Sequence, residues 1–166
     1  MKLDLNRQVP AGLPAGRELT WISVGLGASL LYSFRFLLTF FDSRSALYAT
    51  VGKARVLIAG AVMPDFADVL GGSLLGFVLV ALCMPALILY HYAYHYQGGR
   101  SIYLMRRLPN RWELHRRCFT VPLLAAAASL LLLFVFLLLY YGVYMAGTPD
   151  ACLVPGQWRK LWEVLL

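Results

Sequence analysis

Two histidines near the middle of the chain have a spacing that could bind a metal. His91 and His95 lie four positions apart, so an α-helix would place both imidazoles on one face, as in zinc and haem sites. The remaining histidine, His115, is distant in sequence, and no further ligand stands at a suitable spacing. The stretch from Tyr90 to Tyr96 also alternates tyrosines with these histidines, which is typical of the aromatic belt of a membrane span. We therefore favour the belt and expect no metal or cofactor.

The isolated charges elsewhere indicate structural roles rather than catalysis. Asp65 and Asp68 stand just before an apolar segment, where carboxylates cap a helix and interact favourably with its dipole. Arg35 lies inside an apolar segment, where it could pair with Asp42, contact an acidic substrate or extend towards the membrane surface, and we favour the last. The chain has no nucleophile–base pair, no paired carboxylates and no phosphate-binding Gly-x-x-x-x-Gly-Lys-Ser/Thr sequence. We expect no enzymatic activity in this chain.

Composition indicates that these residues belong to a membrane protein. Of the 166 residues, 60% are hydrophobic and 14% are charged. A soluble domain is nearer about 45–50% apolar and about 25% charged. A helix of about 20 mostly apolar residues spans the hydrocarbon, and three segments are long enough: 19–41, 69–96 and 119–145. The predicted fold is an all-α integral membrane protein with three transmembrane helices in a membrane domain of residues 19–147.

Small residues on the first two segments predict close contact between helices. Gly25, Gly27 and Ser29 lie on the first segment, and Gly71, Gly72 and Gly76 lie on the second. Small side chains let helix backbones approach closely in membranes, and the Gly72-x-x-x-Gly76 spacing fits this pattern, although the pattern is common by chance. The three cysteines show neither a metal-binding spacing nor a disulfide framework.

The loop between the second and third segments, 97–117, is strongly basic. It contains Arg100, Arg106, Arg107, Arg111, Arg116 and Arg117. A short, arginine-rich loop between two spans is retained in the cytoplasm. The N-terminal segment 1–18 should then also be cytoplasmic, and the tail 148–166 should lie outside. We expect a multi-pass protein of the plasma (cytoplasmic) membrane, and we expect no nucleic-acid partner because the basic cluster adjoins the spans.

Two segments should lie on the opposite side from this loop. Segment 43–68 is long for a connection, and Lys53 and Arg55 argue against a fourth span, so we expect a short helix in the membrane interface. These two residues and Arg44 make the bias towards a positive cytoplasmic side imperfect. The tail has apolar residues at the spacing of one helix face, namely Trp158, Leu161, Trp162 and Leu165. This spacing predicts an amphipathic helix on the outer membrane surface or on a partner.

Within the basic loop, the residue pattern predicts two helices separated by a turn. Ser101 can cap a short helix that runs to Leu108, and Pro109 should end it because the residue before a proline disfavours the α conformation. Asn110 then makes an N-cap, and Glu113 three residues later completes a capping-box pair at the start of the third helix. The residues expected to contact a partner here are Ser101, Tyr103, Leu104, Met105, Arg106, Arg107, Leu108, Pro109, Arg111 and Glu113.

This pattern resembles the coupling segment of the type 2 ATP-binding-cassette exporter permeases. That family has approximately Gly-Thr, a Leu-rich stretch, Pro, about two residues, Arg-x-Glu and then the third span. Here the match begins at Ser101, in place of the threonine, and continues through Pro109. It ends with Arg111 and Glu113, and the gap after the proline is one residue shorter than usual. Arg100 stands where the family has its glycine.

The resemblance implies the membrane-spanning permease subunit of an ATP-driven export complex. Three spans would make half of a permease, which must pair with an identical or different second half. The loop would sit in a cleft of a cytosolic ATP-binding-cassette ATPase, and its role would be mechanical. The alternative is a small non-transporting scaffold or assembly subunit of a larger membrane protein complex.

Overall fold

The computed structural model of the protein describes residues 15–51, 53–97 and 112–165. In this part of the chain most residues are helical. The elements in chain order are α1 (Ala15–Ser33), α2 (Arg35–Ala46), β1 (Tyr48–Val51), β2 (Ala54–Leu57), α3 (Phe66–Leu70), α4 (Leu75–Gln97), α5 (Trp112–Gly147), a 3-10 turn (Asp150–Cys152) and α6 (Gln157–Leu165).

Three stretches of helix are long and apolar enough to cross a membrane. They are Gly16–Ala46, which joins α1 and α2, Leu75–Tyr94 and His115–Gly147. Each overlaps one of the three segments predicted from the sequence. Only 22%, 17% and 28% of their most apolar windows are buried within the chain. The remaining apolar surface faces outward, where lipid or other proteins must cover it.

The second span begins later than predicted, at Leu75 instead of residue 69. Gly71 has a φ of 48°, in the left-handed region that glycine tolerates best. This conformation ends α3 after Leu70, and a turn over residues 71–74 precedes α4. Pro85 lies within α4, which continues through it.

The described residues form two compact units; the first and third spans contribute to both, whereas the second span belongs to one of them except for Leu75. The loop unit consists of the described residues of 15–29 and 76–133, which include the helix ends beside the basic loop. The hairpin unit consists of the described residues of 30–75 and 134–165, which include β1 and β2.

Small residues allow α1 and α4 to approach closely within the loop unit. A Cβ placed on Gly76 would lie 2.9 Å from the Cα of Ser29, and one placed on Gly25 would lie 3.4 Å from a Val80 methyl. The predicted packing role is therefore confirmed at these positions. It is wrong for Gly27, which has no neighbour within 4 Å of such a Cβ among the described residues.

We expect Gly76→Ala to lower the free energy of unfolding by about 1–3 kcal/mol, because the added methyl would press on a helix backbone that must move. Gly27→Ala is the matched control in the same unit. It adds a methyl in open space, and alanine favours a helix by up to about 1 kcal/mol over glycine. Chemical unfolding of the purified protein in mild detergent measures both. Equal destabilisation by the two variants would contradict the close helix contact at Gly76.

The expectation of an interfacial helix within 43–68 is wrong for most of the segment, because β1 and β2 form an antiparallel hairpin. Tyr48 pairs with Leu57 and Thr50 pairs with Arg55 across the hairpin. Aromatic and β-branched residues favour strands, since their side chains pack well on a pleated surface. The hairpin is joined to the end of the first span by a hydrogen bond from Ile58 N to Leu47 O.

Aromatic rings form the core of the hairpin unit. Phe36 stacks on Tyr140 with ring centroids 4.4 Å apart, and Phe66 packs edge-on against Phe36 and Tyr144. The hydroxyl of Tyr140 is hydrogen-bonded to Ser33 Oγ at 2.8 Å. Since buried hydroxyl groups need partners, this bond makes a tyrosine compatible with the core.

The tail folds back on the hairpin unit as helix α6, which confirms the predicted helix. Leu161 is buried, and the carboxylate of Asp65 accepts hydrogen bonds from Lys160 Nζ at 2.9 Å and Gln157 Nε2 at 3.0 Å. These bonds lower the pKa of Asp65 below its ordinary value. Asp65 occupies the N-cap position of α3, as expected, but its side chain makes no cap bond and instead anchors α6 beside α3.

Candidate functional site

The loop residues expected to contact a partner, 101–111, lie outside the described residues. The structure does describe the two helices that bracket the loop. Helix α4 ends at Gln97, and α5 begins at Trp112 and runs unbroken to Gly147. The chain is thus helical from Trp112 onward, next to the predicted start near Arg111, and that start itself stays a prediction. Glu113 lies in the first turn of α5.

Pro122, which is buried within α5, leaves one backbone carbonyl without its usual helical partner. In an α-helix the carbonyl of residue i accepts from the N–H of residue i+4. Cys118 stands four residues before Pro122, and proline has no N–H to donate. The oxygen of Cys118 is thus free to accept a hydrogen bond from another helix.

His91, on α4, supplies that bond and makes a second one to α1. Its Nδ1 lies 3.1 Å from Cys118 O, and its Nε2 lies 3.0 Å from Glu18 Oε1. The side chain of His91 is fully buried, and that of Glu18 is 11% exposed. One imidazole therefore connects all three spans within the loop unit, and we refer to these three residues as the histidine bridge.

The chemistry of the partners determines how the histidine bridge is protonated. A backbone carbonyl can only accept, so Nδ1 of His91 must carry a hydrogen and donate it to Cys118 O. The contact between Nε2 and Glu18 then needs one more proton. It is held either by the imidazole, which gives an ion pair, or by the carboxyl group, which donates to a neutral ring. In both forms the pair shares this proton and has no net charge, which suits a buried position.

The second oxygen of this carboxyl group has a different environment. Glu18 Oε2 is buried and has no hydrogen-bond partner among the described residues. Buried polar atoms usually have a partner, so the bridge retains the capacity to accept one further hydrogen bond.

Only some residues of the segment Tyr90–Tyr96 are placed as an aromatic belt would place them. Tyr90 and Tyr94 are exposed, as a belt requires, whereas His91 is fully buried. Tyr92 is hydrogen-bonded to His115, which adds a second contact between α4 and α5. Hence Tyr90 and Tyr94 face outward, while His91 and Tyr92 join α4 to neighbouring helices.

An open groove with a volume of about 640 Å³ lies beside the histidine bridge, between α1 and α4. Its walls are mainly apolar and include Trp21, Gly25 and Leu79, and its polar lining residues include Arg17 and Glu18. Small-molecule sites have volumes of about 300–1,000 Å³. The groove is large enough for a lipid chain or for side chains of a neighbouring helix.

Arg35, which belongs to the hairpin unit, is not part of this site. Its Nη1 donates to the hydroxyl of Tyr32 at 3.1 Å, and the side chain is exposed. Within the described part of the chain it forms no ion pair with Asp42. The pairing that the sequence left open is therefore not formed there.

Comparison with models of protein families, with curated proteins and with solved structures finds no match to this chain. The class that the structure defines is a mostly helical membrane protein with three candidate spans. The histidine bridge is a buried polar contact among all three spans that the sequence pattern alone did not indicate.

Proposed function

We propose that this chain is the permease subunit of an ATP-driven export complex of the ATP-binding-cassette type. In this proposal it couples a cytosolic ATPase to the movement of a substrate. The three candidate spans, and the sequence pattern of Pro109 followed by Arg111 and Glu113, support this assignment. The orientation follows from the arginines: the loop and the N-terminus are cytoplasmic, and the tail lies outside.

The single observation that carries the proposal is the position of the histidine bridge next to the helix ends that bracket the loop. A push on the loop would act on α4 at Gln97 and on α5 at Trp112. His91 lies on α4 within two turns of that end, and it joins α4 to the Cys118 carbonyl and to Glu18 on α1. A displacement of the loop would thus move three spans together, as mechanical coupling requires.

Half of a permease needs a second half to enclose a pathway. The outward apolar surface of the spans provides the area on which an identical or different half would pack. The chain has no phosphate-binding loop sequence, so nucleotide hydrolysis belongs to the partner ATPase. This subunit would bind the ATPase through its loop and would contribute the movement of its spans.

Purification of the tagged full-length chain in mild detergent, followed by mass-spectrometric identification of its partners, tests this function. We expect a cytosolic protein with the Gly-x-x-x-x-Gly-Lys-Ser/Thr sequence, and we expect the purified complex to hydrolyse ATP. A partner set that lacks any nucleotide-binding subunit and shows no ATP hydrolysis would contradict the proposal. That result would favour the scaffold or assembly subunit.

A further inference from the structure

A pocket of about 350 Å³ lies in the hairpin unit, where the first span ends and the hairpin begins. The described residues that line it are Phe41, Arg44 and Ser45 from α2, together with Tyr48 and Arg55 from the hairpin. It therefore combines two guanidinium groups and two hydroxyl groups with one exposed aromatic ring. No carboxylate is among these lining residues.

Local geometry explains why these side chains meet. Phe41, Arg44 and Ser45 share one side of α2, because residues three and four apart are neighbours on a helix. On the hairpin, Tyr48 pairs with Leu57 and Thr50 pairs with Arg55. Paired residues share a face of the sheet and so do residues two apart along a strand, which places Tyr48 and Arg55 on the same face.

The charge of the pocket is not neutralised within the described part of the chain. Neither Arg44 nor Arg55 has a carboxylate partner there. Asp42 is near in sequence, but residues two apart on a helix do not face each other, and it does not line the pocket. Arg44 is also favoured by the helix dipole at the end of α2, although the dipole does not account for the second arginine.

We propose that this pocket binds a phosphate group, presented either as the phosphodiester of an anionic lipid headgroup or as a free phosphate ion. Guanidinium groups bind phosphate through paired, charge-assisted hydrogen bonds, and two of them can hold one phosphate from two sides. The hydroxyl group of Tyr48 supplies a further donor, whereas that of Ser45 donates to the backbone oxygen of Asp42 at 2.8 Å. This inference is independent of the basic loop and of any ATPase.

The surroundings of the pocket favour the lipid as the source. Arg44 lies in the last turn of the first candidate span, where a membrane surface would be. Phe41, Val56 and Ile58 are large apolar residues with exposed side chains in the same unit. A lipid with its phosphate in the pocket could place its apolar part against such residues. In the proposed orientation, arginines at this end run against the positive-inside rule, and a headgroup site gives them a function.

Native mass spectrometry of the full-length protein in mild detergent tests the site. The probes are phosphatidylglycerol, phosphatidylcholine with the same acyl chains, and inorganic phosphate. We expect phosphatidylglycerol to bind at least roughly tenfold more tightly than phosphatidylcholine, and Arg44→Gln or Arg55→Gln to weaken it by a similar factor. The matched control is Lys53→Gln, which removes the same charge from the same hairpin outside the pocket and should change binding less than about twofold.

Two further measurements identify the source of the phosphate and show whether a loss of binding reflects a loss of folding. A different outcome is that inorganic phosphate binds as tightly as phosphatidylglycerol and loses this binding in the arginine variants. That result would support the site and assign it to free phosphate. Arg55→Lys keeps the charge but lacks the guanidinium fork, so we expect several-fold weaker lipid binding with an unchanged unfolding temperature. Undiminished phosphatidylglycerol binding by the double Arg→Gln variant would overturn the proposal, as would an equal loss in Lys53→Gln.

Discussion

Replacing Leu104 and Met105 with aspartate is expected to abolish co-purification of the proposed ATPase partner with this chain. If residues 101–108 dock in a cleft of the ATPase, each new carboxylate would be buried at the interface without a partner. An unpaired buried charge at an interface costs roughly 2–5 kcal/mol, which weakens a micromolar contact by well over tenfold. The measurement is a pull-down of the candidate ATPase with each variant, together with its ATP hydrolysis.

Two control variants separate docking from folding. Leu104→Met with Met105→Leu keeps both positions apolar and should leave the pull-down unchanged. Removing Glu113 deletes a helix cap worth about 1 kcal/mol, so it should loosen the start of α5 while part of the binding survives. Equal recovery of the ATPase by the wild type and the double aspartate variant would disprove the assignment of residues 101–108 as the docking segment.

Replacing Glu18 with alanine is expected to lower the free energy of unfolding by about 1–3 kcal/mol, because Nε2 of His91 would remain buried without a partner. Interhelical hydrogen bonds in membranes are often near the lower end of this range. Glu18→Gln is the matched control. Its amide group can donate to a neutral imidazole, so the bond to His91 survives and the loss should be smaller. Chemical unfolding in mild detergent measures both variants.

A double-mutant cycle with His91→Ala tests whether the two side chains stabilise the protein through each other. If the histidine bridge exists, the loss in the double variant should be smaller than the sum of the two single losses by about 1 kcal/mol or more. If the chain is the proposed permease subunit, the same variants should couple less ATP hydrolysis to transport, since α1 would no longer follow α4. Additive losses would show that Glu18 and His91 do not interact.

Long apolar segments made the three spans predictable, because a membrane helix contains its own backbone hydrogen bonds and needs only length and hydropathy. The tail helix was also predictable, since Trp158 and Leu161 follow the helical period within a short amphipathic sequence. Helix at Trp112 and beyond was predictable from the sequence Pro109-Asn110-Arg111, which favours a helix start at this position. In each case the information is local.

The hairpin and the histidine bridge depend on information that is not local. Short apolar runs suit a helix or a strand equally well, and only pairing between β1 and β2 decides for the hairpin. The bridge depends on which helix faces meet, which no spacing rule specifies. One signal was available, because Pro122 necessarily frees the carbonyl of Cys118 for a donor such as His91.

The backbone between the hairpin and α3 finds its partners in parts of the chain that are synthesised much later. The oxygen of Pro64 accepts from the hydroxyl of Tyr144, 80 positions away, and Phe66 N donates to the side chain of Gln157, 91 positions away. Contacts across such long separations require loop closure before they stabilise anything. During biosynthesis this segment must therefore stay hydrated until the third span has been inserted. Before the third span and the tail are synthesised, the backbone at Pro64 and Phe66 lacks these partners, so we expect proteases to cleave an insertion intermediate with two spans in this segment.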